Sequence, residues 1–290
     1  MTNTTFNQQP PQFDAFIPAE MAKRAEQVGI KKATMPAGVT FVLAVLAGAF
    51  IALGAVFATT VSAGCAELPF GVVKLLAGMS FCLGLILVIV AGAELFTGNN
   101  LIVMALASGE VTTLQLLRNW GIVYVGNFVG SIGTAMLVFL TGQYAFGGGA
   151  VGANALAIAN AKCQLGFVQA VALGVLCNAL VCLAVWLCFS ARSTTDKIIS
   201  IIFPITAFVA AGFEHSVANM YFIPMGLLIK EGADPSFWQT VEANSSQFAQ
   251  LTWSNFLWAN LLPVTIGNVL GGAVMVGIVY WSVYLRGKKG

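Results

Sequence analysis

Charge is what this sequence has least of. Lys, Arg, Asp and Glu together make up 8% of its 290 residues, against 58% hydrophobic ones. A soluble domain does not keep its surface hydrated with so few charges, so the composition defines an all-α, multi-pass membrane protein. Nucleic-acid binding is excluded because no basic patch exists to carry it. Histidine occurs once, at position 215, and none of the six cysteines falls in a CxxC pair. A metal site needs three or four convergent ligands, so neither a metal nor a cofactor is expected. One His and no nucleophile elbow also argue against an intramembrane enzyme. A Cys65–Cys163 disulfide would need both loops on an oxidising side and is disfavoured. No Asn-Pro-Ala triplet occurs, which removes the usual mark of a water or glycerol pore. The first 35 residues are polar and lack an apolar core, so no cleaved signal peptide is expected.

What remains is apolar sequence in runs of awkward length. The interval 198–229 holds 32 residues and the interval 71–109 holds 39. About 20 helical residues cross a bilayer core, so each is too long for one straight span and too short for two spans with a loop. Each reads as one span broken near its middle, at Glu94–Asn100 and at Phe213–Met220. Irregular backbone at membrane depth survives only where protein or a watery cavity satisfies it, so the breaks mark a permeation path. The other spans are expected at 35–61, 114–140, 166–189 and 256–285, six in all, with the second and fifth broken. Residues 1–34 form a polar tail and a short charged surface helix (18–34). The membrane domain covers 35–286, and 287–290 form a tail.

Counting cations by connection gives the orientation. Lys23, Arg24, Lys31, Lys32, Arg118, Arg192, Lys197, Arg286, Lys288 and Lys289 share the side of the termini. Lys74, Lys162 and Lys230 lie opposite. The positive-inside rule places both termini in the cytoplasm, in a cytoplasmic (inner) membrane. Aligning Glu94 with Glu214 brings Asn99 onto Asn219, and Gly126-Asn127-x-x-Gly130 matches Gly267-Asn268-x-x-Gly271. Two matches in order indicate a 3+3 inverted repeat, about 35–141 and 165–286. The paired glycines are expected to let the third and sixth spans pack closely.

Three segments carry a family resemblance: Gly92-Ala-Glu-Leu-Phe-Thr-Gly98, Phe213-Glu-His-Ser-Val-Ala-Asn-Met220 and Pro263-Val-Thr-Ile-Gly-Asn268. They resemble the signature segments of the formate/nitrite transporter family, over nearly the whole chain. The resemblance implies an aquaporin-like six-helix protomer, a homopentamer with one pore per subunit, and a small anion such as formate as the solute. Nitrite and hydrosulfide are alternatives within the family, and a neutral-solute pore is a more distant one. Where formate channels typically show Asp in the first break, this chain has Glu94, which keeps the anion open.

The half-helices starting near Asn99 and Val217 would offer N–H donors to an anion. His215 would be the central donor or proton carrier; the plainer reading is a buried structural histidine. Thr97 and Asn268 resemble the family's other polar pore groups, with an interhelical hydrogen bond or cap as the plainer reading. Glu214, like Glu94, would accept backbone N–H bonds and support its break. By resemblance, Lys162 raises the positive potential along the path, coupled through Asn178 toward His215. Leu85 and Leu95 match the family's apolar constrictions, with Phe81, Phe96 and Phe208 nearby, and such constrictions stop hydrated ions.

Overall fold

The computed structural model of the chain describes residues 14–287. The expectations for residues 1–13, Lys288 and Lys289 lie outside this range. Helices account for all regular structure among the described residues. Five are long and apolar enough to cross a membrane: α2 (Ala37–Val61), α3 (Phe70–Gly92), α5 (Thr113–Leu140), α7 (Phe167–Ser190) and α11 (Asn255–Tyr284). Their outer faces expose Phe70, Leu140 and Val168 almost fully, an arrangement suited to lipid and costly in water.

The two breaks fall where expected. α3 loosens into wider, π-type turns over Leu87–Gly92 and ends at Gly92, whose φ of +83° suits only glycine without strain. Residues 93–97 are irregular, and the chain resumes helix in α4 (Gly98–Ala107). α8 (Thr194–Ala210) ends in the same way at Gly212, φ +74°, and α9 (Ser216–Gly232) follows. The second broken interval starts four residues before the expected 198 and ends three residues after 229. Its polar opening, Thr194-Thr195-Asp196-Lys197, resembles a loop but is a capped first turn. Ser193 Oγ accepts the Asp196 N–H at 3.1 Å, while Asp196 Oδ2 accepts the Ser193 N–H at 2.9 Å.

α1 (Pro18–Thr34) has the expected bounds and buries Met21, Ala22, Ala25, Gly29 and Ala33. α6 (Ala150–Cys163) was not expected, because an alanine-rich stretch without a polar stripe shows no helical period. A short α10 (Pro235–Thr240), capped by Asp234, completes the set.

The paired glycines work differently from expectation. Gly126 and Gly130 lie against Ala44 and Val45 of α2, and Gly267 and Gly271 lie against Val171 and Val175 of α7. A methyl group on Gly130 would strike the Val45 carbonyl, and one on Gly271 the Val175 carbonyl. α5 and α11 therefore each lock onto the opening span of their own half. The six cysteines are unpaired.

Candidate functional site: a path between two vestibules

Each break is held by the same four side chains. Lys32 Nζ lies 3.0 Å from Glu94 Oε1, and Asn99 Nδ2 donates to Glu94 Oε2 at 2.7 Å. Asn99 also donates to Asn119 Oδ1, and Asn119 donates to the Lys32 carbonyl. The second break repeats this. Lys162 Nζ lies 2.7 Å from Glu214 Oε1, Asn219 donates to Glu214 Oε2 and to Asn260 Oδ1, and Asn260 donates to the Lys162 carbonyl. The backbone follows suit: the Glu94 N–H reaches Leu43 O and the Glu214 N–H reaches Leu173 O. Asn127 and Asn268 close each loop from α5 and α11. Asn127 receives the Phe96 N–H and donates to Ala44 O and Glu94 O. Asn268 receives the Ser216 N–H and donates to Gly174 O and Glu214 O.

These contacts revise several expectations. Glu94 and Glu214 do support their breaks, but by accepting lysine and asparagine side chains rather than backbone N–H groups. Lys162 sits on α6, not in a loop, and is joined to Glu214. Asn178 does not connect it to His215: Asn178 Nδ2 donates to the Thr97 and Asn268 carbonyls and to Asn100 Oδ1. Asn268 has its amide fully engaged by backbone, the pattern of a cap.

Cavities enter from both sides. One of about 470 Å³ is lined by Lys74, Lys162, Phe81, Phe208, Glu214 and His215, among others. A smaller one of about 110 Å³ opens beside Lys32 and ends at Leu85 and Leu95. His215, at the wall of the larger cavity, and Thr97, which lines neither, are buried, at 3% and 0% exposure. Phe81 packs edge-on against Phe208, whose ring lies 5.9 Å from the His215 ring. Phe96 lines neither cavity; its ring packs edge-on against Tyr124 and Trp120. So Phe81, Phe208 and His215 line the larger cavity and Leu85 and Leu95 the smaller, while Phe96 and Asn268 line neither.

The hydrogen bonds of His215 define its tautomer. Its Nδ1 accepts the Ala218 N–H at 3.0 Å, so in the neutral ring Nε2 carries the hydrogen. Nε2 lies 3.0 Å from Thr97 Oγ1 and donates to it. The Thr97 hydroxyl hydrogen is then left to point at another acceptor. Two of the first three N–H groups of α9, those of Ser216 and Ala218, are already taken by Asn268 and His215. The Thr97–His215 pair leaves one free donor, the Thr97 hydroxyl, beside this half-helix start. Sequence reasoning passed over Lys32, Asn119 and Asn260, which complete the two clusters. Lys32 and Lys162 stand at matching distances before Leu43 and Leu173, a signal visible only once the first helices are also aligned.

An apolar, multi-pass helical chain with a duplicated polar support and opposed vestibules is a membrane transport protein. The formate/nitrite transporter family model matches residues 19–282, and the chain belongs to that family. It is 48% identical over 274 residues to the formate channel FocA of Escherichia coli K12, covering 94% of this chain and 96% of that one. It is 42% identical over 264 residues to the formate channel FocA of Haemophilus influenzae, covering 91% and 93%. Among solved structures, a pentameric formate channel with formate bound superposes with a TM-score of 0.83 at 49% identity, covering 88% of this chain and 99% of the other. An FNT family ion channel superposes with a TM-score of 0.75 at 30% identity, covering 92% and 98%.

Proposed function

We propose that this protein is a formate channel of the cytoplasmic membrane, assembled as a homopentamer with one pore in each subunit. The contact between Thr97 and His215, set where two vestibules end, carries the reading: it offers a desolvated anion a donor at the narrowest level. The neighbours named as formate channels, one of them pentameric, support the solute and the assembly.

Each subunit crosses six times in a 3+3 inverted repeat, with α3–α4 and α8–α9 as the broken second and fifth spans. Three crossings per half turn the second half over, and the duplicated Lys–Glu–Asn–Asn clusters support that symmetry. The repeats also take in a leading helix each, α1 and α6, because Lys32 and Lys162 belong to the clusters. Both termini lie in the cytoplasm on this reading, which the count of ten cations against three supports. On this orientation the 470 Å³ cavity faces outward and the smaller one inward.

In the resting state His215 acts as a hydrogen-bond donor through Thr97. Carrying a proton to the anion requires His215 to give up the Ala218 N–H bond, because Nδ1 cannot hold a hydrogen and accept one together. Phe81, Leu85, Leu95 and Phe208 exclude hydrated ions, and Lys162, paired with Glu214, shapes the outer vestibule. A second reading, a nitrite channel, rests on the matched family, whose description covers formate and nitrite alike. Proteoliposome uptake of formate, nitrite and glycerol at two pH values tests both. Formate flux several-fold above nitrite is expected, with none for glycerol. Preference for nitrite would move the protein to the second reading, and glycerol flux would refute an anion pore.

A further inference from the structure

A third cleft, of about 600 Å³, opens where α7 turns into α8 beside the outer face of α1. α1 brings Arg24 and Lys31 to it, two turns apart on one face, and the turn brings Arg192, Ser193, Thr194 and Lys197. Its lining has four cations and no carboxylate. Asp196, beside it, is turned into the helix start, where Oδ2 accepts the Arg192 and Ser193 N–H groups. The ion pairs of the described residues, Lys32–Glu94 and Lys162–Glu214, involve none of Arg24, Lys31 and Lys197.

The two arginines are also held in place. The guanidinium carbons of Arg24 and Arg192 lie 3.7 and 3.4 Å from the centroid of the Phe16 ring, so they must occupy its opposite faces. Phe16 is itself fixed: its N–H donates to Ser190 O at 3.1 Å, and Ser190 Oγ donates to Phe16 O at 3.0 Å. Arg24 reaches Phe189 O and Arg192 Nε reaches Asp14 O. Arg24, Lys31 and Lys197 are like charges gathered in one concave site, and they focus a positive field that favours an anion.

Chemistry and position narrow that anion. The Arg24 guanidinium, two ammoniums and two hydroxyls exceed what one carboxylate can engage, but they match the several oxygens of a phosphate group. α7 is apolar to Phe189 and α8 is apolar from Ile198. The cations therefore sit at the depth of lipid headgroups, on the cation-rich side of the protein. Basic pockets between helices at that level bind anionic headgroups. We propose that this cleft is a phosphate-group site, filled by an anionic phospholipid headgroup or by a soluble phosphate ester. Val28 and Phe189 line both it and the smaller vestibule, so its occupant sits beside the inner mouth of the path. The site depends on the chain lying in a membrane and not on which anion the pore conducts.

The test uses the full chain in nanodiscs. In one arm, discs of phosphatidylcholine are titrated calorimetrically with glycerol 3-phosphate. In the other, discs containing phosphatidylglycerol are opened in the mass spectrometer and retained lipid is counted. Binding in at least one arm is expected, weakened at least tenfold by Lys31→Gln/Lys197→Gln. Lys23→Gln, on the same helix but outside the cleft, is expected to leave it unchanged. Lipid retention alone assigns a headgroup, and a response to glycerol 3-phosphate alone assigns a soluble ester. No binding in either arm overturns the proposal, as does equal binding by the double variant. Should the double variant fail to assemble, Lys197→Gln alone must lower binding in the same arm or the proposal falls. Formate uptake by these variants is read in parallel: a lost phosphate site with normal uptake separates the two readings.

Discussion

Thr97→Val isolates the donor at the centre of the proposed path. The substitution keeps the shape of the side chain and removes only Oγ1, the acceptor of the His215 Nε2–H at 3.0 Å. Thr97 is fully buried and His215 is 3% exposed, so no bulk water replaces the lost partner. A buried donor left unpaired costs about 1–3 kcal/mol. That cost falls on the empty protein and lowers its stability; the barrier rises through loss of the hydroxyl hydrogen that would meet the anion, a charge-assisted bond worth about 1.5–3 kcal/mol. Placed on the barrier to permeation, roughly 1.4 kcal/mol is tenfold in rate, so formate flux should fall by about one to two orders of magnitude. Thr97→Ser keeps the hydroxyl and should retain most of the flux. The assay is formate uptake by reconstituted protein, with assembly checked by size exclusion. A properly assembled Thr97→Val protein with wild-type uptake would refute the argument, because it would show that the anion crosses without this donor.

Three further outcomes follow from the supports around the path. Glu214→Gln leaves Lys162, whose side chain is 15% exposed, without its counter-charge, and should destabilise the fold by about 3–5 kcal/mol. Lys162→Gln/Glu214→Gln should cost less than the sum of the two single changes, as measured by thermal unfolding in detergent. Additive effects would mean that the 2.7 Å contact carries no coupling. Gly130→Ala and Gly271→Ala each drive a methyl into a carbonyl of the adjacent span and should cost about 1–3 kcal/mol. Gly133→Ala, which meets nothing within 4 Å, should be silent in the same thermal assay. Asn127→Leu strands the Phe96 N–H and the Glu94 carbonyl, and should reduce the yield of assembled protein far more than Asn154→Leu, whose amide serves the vestibule rim. Equal yields would deny Asn127 its role in holding the first break.

The broken spans were legible because a length argument needs no partner: 32 or 39 apolar residues cannot be housed any other way. The exits at Gly92 and Gly212 came only from the structure, where each turns left-handed at a residue without a Cβ. The partners of Glu94 and Glu214 were not legible. Nothing local distinguishes a carboxylate that accepts backbone N–H groups from one that accepts a lysine 62 or 52 residues away in the chain. α6 escaped for a different reason. It packs against α9 through small residues, where the Gly226 backbone touches Ala159, and small apolar residues on every face leave no periodic signal.

The two halves agree wherever a residue holds the backbone and differ where the path needs polarity. Asn127 and Asn268 make the same bonds, and Asn99 and Asn219 donate alike to Glu94 and Glu214, although Asn99 Oδ1 alone also accepts from its lysine. One residue past each glutamate the match ends, with Leu95 in the first half and His215 in the second. Thr97 pairs with Val217 in the same alignment, Asn100 with Met220, and Gly48 with Asn178. Each of these four pairs has one polar member, drawn from both halves, and those polar members bond to one another. His215 meets Thr97, Asn178 holds the Thr97 carbonyl, and Asn178 meets Asn100. Space explains why the exchange must be complementary. Asn178 Nδ2 lies against Gly272, whereas an asparagine at position 48 would drive into the Asn127 backbone that Gly48 lets approach. A symmetric pair of histidines would likewise replace Leu95, removing the apolar closure of the smaller vestibule while adding a second donor to hold the anion in place. Conduction needs a site that an ion can leave. One donor on a duplicated scaffold meets that need; two facing donors would bind the anion and stop it.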